Sequence, residues 1–168
     1  MATPYDHAFP DALGRLLSNI IQLEFAVRVA LHLQEPEEAR MSTEILRSIK
    51  VGDLLPGTYL TNWMQLEQLI DDYNARERDR GSTPIDEGIV ELRHALAHGR
   101  LTASTLTSEY SLFRFSRANP QSGAVTVERI DVLTLRWLEE QVGRTGQALN
   151  SVFLRIQELK PEAKLRTS

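Results

Sequence analysis

Two long segments with helical periodicity constrain this chain more than any other feature of its sequence. The last segment begins after Thr134 and stops at Pro161, and the first runs from Pro10 to Glu35-Pro36, where the residue before proline is biased out of the helical region. In the last segment, apolar residues follow a three-four alternation: Leu135, Leu138, Val142, Leu149, Val152, Ile156 and Leu159. This alternation is the seam of antiparallel bundle packing. The first segment is apolar on more than one side, which is typical of a central helix or of one shared with a partner.

Further elements are predicted between these two segments. Long helices are expected over about 59–80 and from Ser82 to Gly99, and a short helix is expected over 42–49. Gly99 is expected to adopt a left-handed conformation at the end of the helix that begins at Ser82. Trp63 and Trp137 lie at apolar helical spacing and are assigned to the core or an interface rather than to base stacking. Residues 111–117 and 123–132 alternate as strands do and flank a turn, which predicts a β-hairpin. The expected fold is all-α: an up-and-down bundle of four to five helices with a small β-hairpin inserted before the last helix.

Composition narrows the class of protein. The chain has 168 residues, which favours one domain over 1–168. Because there is no Cys, disulfides, thiolate zinc sites and a cysteine nucleophile are excluded. The formal charge of -4 argues against a broad nucleic-acid-binding surface, although it permits a small basic cleft. The amino terminus lacks the pattern of a signal peptide, and the most apolar helix is interrupted by charged residues, so we expect a cytoplasmic protein without a membrane partner.

Reactive side chains cluster in one segment, 91–100, which reads ELRHALAHGR. On a helix, His94 and His98 share a face and Glu91 joins it, whereas Arg93 is five residues before His98. Basic residues in a last helical turn interact favourably with the helix dipole, by about 0.3–1 kcal/mol each. A plain helical scaffold would explain the cluster in this way.

A metal site is a second interpretation of the cluster, since Glu91, His94 and His98 could meet one ion. Helical di-metal sites, however, use a matching Glu-x-x-His on a second helix, and the chain has none. HALAH also lacks the glutamate of the H-E-x-x-H zinc motif. We therefore expect no metal, and without a P-loop or a G-x-G-x-x-G motif we expect no nucleotide cofactor.

Acid–base chemistry on RNA is the third interpretation. Histidine titrates near neutral pH, and arginine binds phosphate oxygens with a planar, permanent charge. RNA carries its own nucleophile, the 2′-hydroxyl, so one base and one cation suffice for cleavage without a metal. The second proton-transfer group is expected from a symmetry-related chain.

The segment RHALAHGR, placed after a run of helices and before a hairpin, resembles the signature of HEPN domains. The resemblance implies a helical bundle, a homodimer in which two motifs face one cleft, and metal-independent ribonuclease activity. It implies that Arg93 binds and polarises the scissile phosphate, that His98 is the general base or acid, and that His94, in the polar position after the arginine, orients Arg93 or takes part in proton transfer. The implied partners are RNA and an antitoxin or nucleotidyltransferase, as for a toxin or defence component.

Other residues are expected to support this site. Glu24 is a candidate partner for Arg93 or a histidine, with a solvated glutamate as the alternative, and Glu91 is expected to support the same cluster. If the hairpin folds back beside the helix end, a basic strip would track RNA phosphates; its members are Arg100, Arg114, Arg117 and Arg129. A non-catalytic HEPN-like dimer that binds a partner is the competing function.

Overall fold

The computed structural model describes residues 7–42, 47–78, 80, 83–103 and 110–160. Within these ranges the elements follow one another in this order: α1 (Ala8–His32), a 3-10 turn (Glu37–Ala39), α2 (Leu66–Arg78), α3 (Gly88–His98), β1 (Arg100–Ala103), β2 (Tyr110–Phe115), β3 (Val127–Leu133) and α4 (Leu135–Leu159). The short helix expected at 42–49 falls largely outside the described residues.

The strands form one antiparallel sheet in the order β1-β2-β3. The expected hairpin is present as β2 and β3, but β1 adds a third strand, with Leu101 opposite Leu112. The prediction of an all-α fold is therefore wrong, and the chain is a mixed α/β protein. β1 has only four residues, too few to show an alternating pattern, and its extended conformation depends on pairing with β2.

Contacts divide the chain into two compact units, and α1 and α4 each contribute to both. The first unit comprises Met1–Ile20 and Asp86–Gly146 and contains the sheet and α3. Its core includes the Phe9 ring, which stacks on Tyr110 with centroids 3.7 Å apart. In the apolar seam of α4, Thr145 is fully buried and accepts a hydrogen bond from Asn19 Nδ2 at 3.2 Å. A polar residue is tolerated there because its hydroxyl is paired.

The second unit comprises Ile21–Ile85 and Gln147–Ser168. In it, the Arg28 guanidinium donates to the carbonyls of Tyr59 (3.0 Å) and Met64 (2.6 Å). These bonds hold the chain in a turn, and α2 accordingly starts at Leu66 rather than near residue 59 as predicted. Trp63 lies in this turn and is 96% exposed, so its assignment to the core or an interface finds no support within this chain.

A single residue defines the start of α4, and another defines the end of α3. Thr134 Oγ1 accepts the backbone N–H of Trp137 at 3.1 Å, which caps α4 as its sequence predicts. Gly99 ends α3 with φ -73° and ψ 163°, an extended conformation, so the left-handed assignment is wrong. A Cβ at Gly99 would clash with the Ala95 carbonyl oxygen and would lie 2.6 Å from Leu112 Cδ1. Glycine at this position therefore permits the tight end of α3 as well as close packing of the α3–β1 junction on β2.

Candidate functional site

Two faces of helix α3 have different surroundings. Ile89 and Leu92 are buried in the first unit, and the helix packs against β2. His94 and His98 share another face, and their ring centroids are 6.2 Å apart. This spacing is what positions four residues apart on a helix produce. The structure thus brings the two predicted histidines together.

These histidines line a pocket of about 240 Å³ together with side chains from the sheet, which we name the histidine pocket: His94, His98, Arg114, Phe115 and Glu128. Its sheet side lies where the β2–β3 register shifts between Arg114 and Phe115. A bulge of this kind re-aims side chains, and bulges are common beside active sites. The volume is below the 300–1,000 Å³ usual for drug-sized ligands, so the pocket suits a small group such as one phosphodiester.

A second concavity of about 320 Å³ lies between α3, the sheet and the start of α4, and Arg114 lines it as well. We name it the arginine groove: besides apolar residues, its lining includes Glu91, Arg114, Arg129, Asp131, Trp137 and Arg144. Two of its cations are already paired within the first unit. Arg129 Nε donates to Asp131 at 2.8 Å, and Arg144 Nε donates to Asp86 at 2.7 Å.

The Asp86 carboxylate also accepts the Gly88 backbone N–H at 2.9 Å. This bond, with a contribution from Arg144, holds the pKa of Asp86 below its ordinary value, although partial burial acts in the opposite direction. Arg114 differs from the two paired arginines: among the described residues its side chain has neither a hydrogen bond nor an ion pair. Its charge is therefore available to an anion in either concavity.

Arg93 occupies a different part of α3. At 100° per residue, five positions place it about 140° around the helix from His98. It is half-buried, it lines neither the histidine pocket nor the arginine groove, and no hydrogen bond or ion pair joins it to another described side chain. Within one chain, the structure does not bring the Arg93 and His98 side chains together.

The two predicted supporting carboxylates do not line the histidine pocket. Glu24 is paired within the second unit, where its Oε1 is 3.2 Å from Arg28 Nη2. Glu91 lines the arginine groove rather than the histidine pocket. In the described ranges, no three His, Asp or Glu side chains converge as a metal site would require.

The predicted basic strip is partly assembled. Arg114 lines both concavities and Arg129 lines the groove, whereas Arg117 is exposed beyond the end of β2. Arg100 lies over the ring of Phe115, with its Cζ atom 5.5 Å from the ring centroid. Such a position is favourable because a guanidinium is attracted to the face of an aromatic ring.

Two members of the histidine pocket, Phe115 and Glu128, were not predicted from the sequence as site residues. Phe115 belongs to the alternating segment SLFRFSR, which marks a strand but does not indicate which strand residue lies beside the α3 histidines. Glu128 reaches the pocket next to the register shift, which has no signature in the sequence.

A scan against protein-family models, a search of curated proteins and a search of solved structures found no match to this chain. None of the helices in the described part of the chain combines the length and apolar character that crossing a bilayer requires.

Proposed function

We propose that this chain is a HEPN-like, metal-independent endoribonuclease whose chemistry takes place in the histidine pocket. The observation that supports it is the convergence of His94, His98 and the unpaired Arg114 on one space large enough for a phosphodiester. Two histidines provide a base and an acid, and Arg114 provides the charge that binds phosphate. The proposal places the protein in the cytoplasm as a toxin or defence component, with an antitoxin or nucleotidyltransferase as partner.

The proposed reaction uses the nucleophile of the RNA itself. One neutral histidine removes the proton of the 2′-hydroxyl, and the 2′-oxygen attacks phosphorus. The bond from phosphorus to the 5′-oxygen breaks, and the other histidine, as imidazolium, donates a proton to the departing oxygen. The products are a 2′,3′-cyclic phosphate and a 5′-hydroxyl, so protons and electrons balance without a metal. Arg114 stabilises the charge that develops on the phosphate oxygens.

A homodimer forms part of this proposal. Because Arg93 lies on another side of α3, it reaches a scissile phosphate in the histidine pocket only if a second copy supplies it. The HEPN resemblance implies a cleft that both motifs face, and the proposal places Arg93 of one copy beside His98 of the other in it. The proposal therefore predicts that the active species is a dimer and that Arg93→Ala and His98→Ala chains restore activity when mixed, since one of the two sites then carries both residues.

The test is cleavage of labelled single-stranded RNA in EDTA by the wild-type protein and by His94→Ala, His98→Ala and Arg114→Ala variants. We expect each histidine variant to lose about 10²–10⁴-fold in rate, the usual contribution of one acid–base group. His7→Ala and Arg136→Ala are matched controls, since both positions are exposed and lie outside the two concavities. Equal rates in all variants, or no cleavage by the wild type, would refute the proposal.

A non-catalytic HEPN-like dimer that binds a partner is the second candidate. The position of Arg93 outside the histidine pocket favours it, since the two motif residues are not assembled within one chain. This candidate predicts a dimer by sedimentation, no cleavage of RNA, and unchanged partner binding in His98→Ala. Sedimentation as a monomer would contradict both candidates, because neither would then have a composite cleft.

A further inference from the structure

The outward face of the sheet carries aromatic and cationic side chains next to the histidine pocket. Directly opposed residues of an antiparallel pair share a face, so the register places Arg100, Phe113 and Ile130 in one row across the three strands. The next row lies on the opposite face and consists of Leu101, Leu112 and Asp131. In this row, Leu112 is buried in the first unit. The row with Phe113 is therefore the one directed away from that core.

Phe113 and Phe115 follow one another on this outward face, two residues apart on β2. Their rings are nearly parallel, with an interplanar angle of 15° and centroids 6.2 Å apart. Phe115 is 36% exposed, and Arg100 lies over its ring. We name Arg100, Phe113 and Phe115 the aromatic platform. Phe115 also lines the histidine pocket, so the platform and the pocket are continuous.

We propose that the aromatic platform binds the bases of a single-stranded nucleic acid, RNA in the proposed reaction, that flank the phosphate held in the histidine pocket. Bases stack on phenyl rings irrespective of sequence, whereas a paired duplex keeps its bases stacked on one another. The choice of RNA rests on the proposed function; the stacking itself does not. Arg100 provides the charge complementary to phosphate, while the net charge of -4 limits the contact to this small area.

The experiment measures binding of a labelled single strand whose riboses carry 2′-O-methyl groups, so that wild-type protein binds without cleaving. Phe115→Leu removes the π face but keeps an apolar side chain, and it should weaken binding by about 5- to 150-fold, the range expected for one stacked base. Val132→Ala is the matched control, because Val132 is an exposed apolar residue on the same face but outside the platform. It should leave the affinity unchanged.

Two further binding measurements test the proposal, one with other nucleic acids and one with an Arg100 variant. Single-stranded DNA should bind with similar affinity to the methylated RNA, and duplex RNA should bind much more weakly. Arg100→Gln should lower the slope of log affinity against log salt by about 0.7, the contribution of one phosphate contact to a single strand. An unchanged slope would contradict the role of Arg100.

Failure of this inference and failure of the proposed function are distinguishable. Equal affinities of wild type and Phe115→Leu would overturn the platform even if the wild type cleaves RNA. Binding through Phe115 by a protein that cleaves no RNA would support the platform and refute the nuclease. If Phe115→Leu dissociates a dimer without changing affinity for the single strand, the face is an interface between copies, and the inference is wrong.

Discussion

Replacing Arg155 by Met should destabilise the second unit strongly, because it removes the guanidinium that is paired with a carboxylate in the interior. Arg155 Nε lies 3.0 Å from Glu77 Oε1, and the Glu77 side chain is only 1% exposed. Breaking a buried pair on one side usually costs about 3–5 kcal/mol. Gln34 Nε2 also donates to Glu77, at 3.4 Å. Because this amide is uncharged and the bond is long, it replaces little of the lost interaction. We expect a loss near the middle of that range.

Removing both partners should cost far less. Burial opposes the charge of Arg155, and the hydrogen bonds to Glu158 and Glu77 overcome that effect and raise its pKa, so the guanidinium stays protonated. Its Nη2 atom is nevertheless buried, and no described residue forms a hydrogen bond with it. Such an imperfect pair gains little over apolar packing. The double variant Glu77→Leu/Arg155→Met should therefore unfold within about 1–2 kcal/mol of the wild type.

Urea unfolding followed by circular dichroism provides the free energies for a full double-mutant cycle. We expect a coupling energy of about 2 kcal/mol or more between the two positions, with similar m-values for all four proteins. The Arg155–Glu158 contact does not confound the cycle, because Glu158 is mostly exposed and surface pairs contribute little. If the effects of the two single variants add within about 0.5 kcal/mol, Arg155 and Glu77 are not coupled and the prediction is wrong.

Three further outcomes can be measured by the same unfolding assay. Gly99→Ala should destabilise by about 1–3 kcal/mol through overpacking at the α3–β1 junction, whereas Gly143→Ala, where α4 has open space, should stabilise by about 0.5–1 kcal/mol; changes of the same sign would contradict this. Because the pKa of Asp86 is lowered in the fold, its carboxylate stabilises the protein above about pH 3.9, and this stabilisation is lost as pH falls through the folded pKa. Asp86→Asn should therefore lower stability at neutral pH, and the difference from wild type should disappear in acid. A difference that does not depend on pH would contradict this prediction. Burial and the nearby Glu77 charge raise the pKa of Tyr73 to about 12, so the stability of the wild type should fall between about pH 10 and 12. Tyr73→Phe should lose less stability over this range. Equal losses in the two proteins would contradict this prediction.

Apolar periodicity predicted α1 and α4 well, because it arises from burial along a whole helix face, whereas α2 begins at Leu66 and α3 at Gly88, each several residues after its predicted start. The spacing of Leu138 and Val152 predicted α4, and the Thr134 cap is made within one turn of chain. The β2–β3 hairpin was predicted for the same reason: strand alternation and turn residues are adjacent in sequence. These features depend on residues near one another along the chain.

Other parts of the fold depend on contacts between distant residues. Nothing in the four residues Arg100–Ala103 indicates a strand, and β1 exists because β2 provides hydrogen-bond partners. The start of α2 depends on donors from Arg28, more than thirty residues earlier in the chain. Gly99 adopts an extended conformation since the chain must enter β1 directly, a requirement invisible in the helix that precedes it.

A four-residue spacing on a helix places His94 and His98 on one face whatever surrounds the helix. Which side chains lie opposite them depends on the packing of the folded chain. The tertiary structure placed Arg114 and Phe115 across from the histidines through the packing of α3 on β2, and it left Arg93 about 140° away around the helix. Helical spacing is a property of a local backbone, whereas the composition of a pocket depends on which strand packs there and in which register.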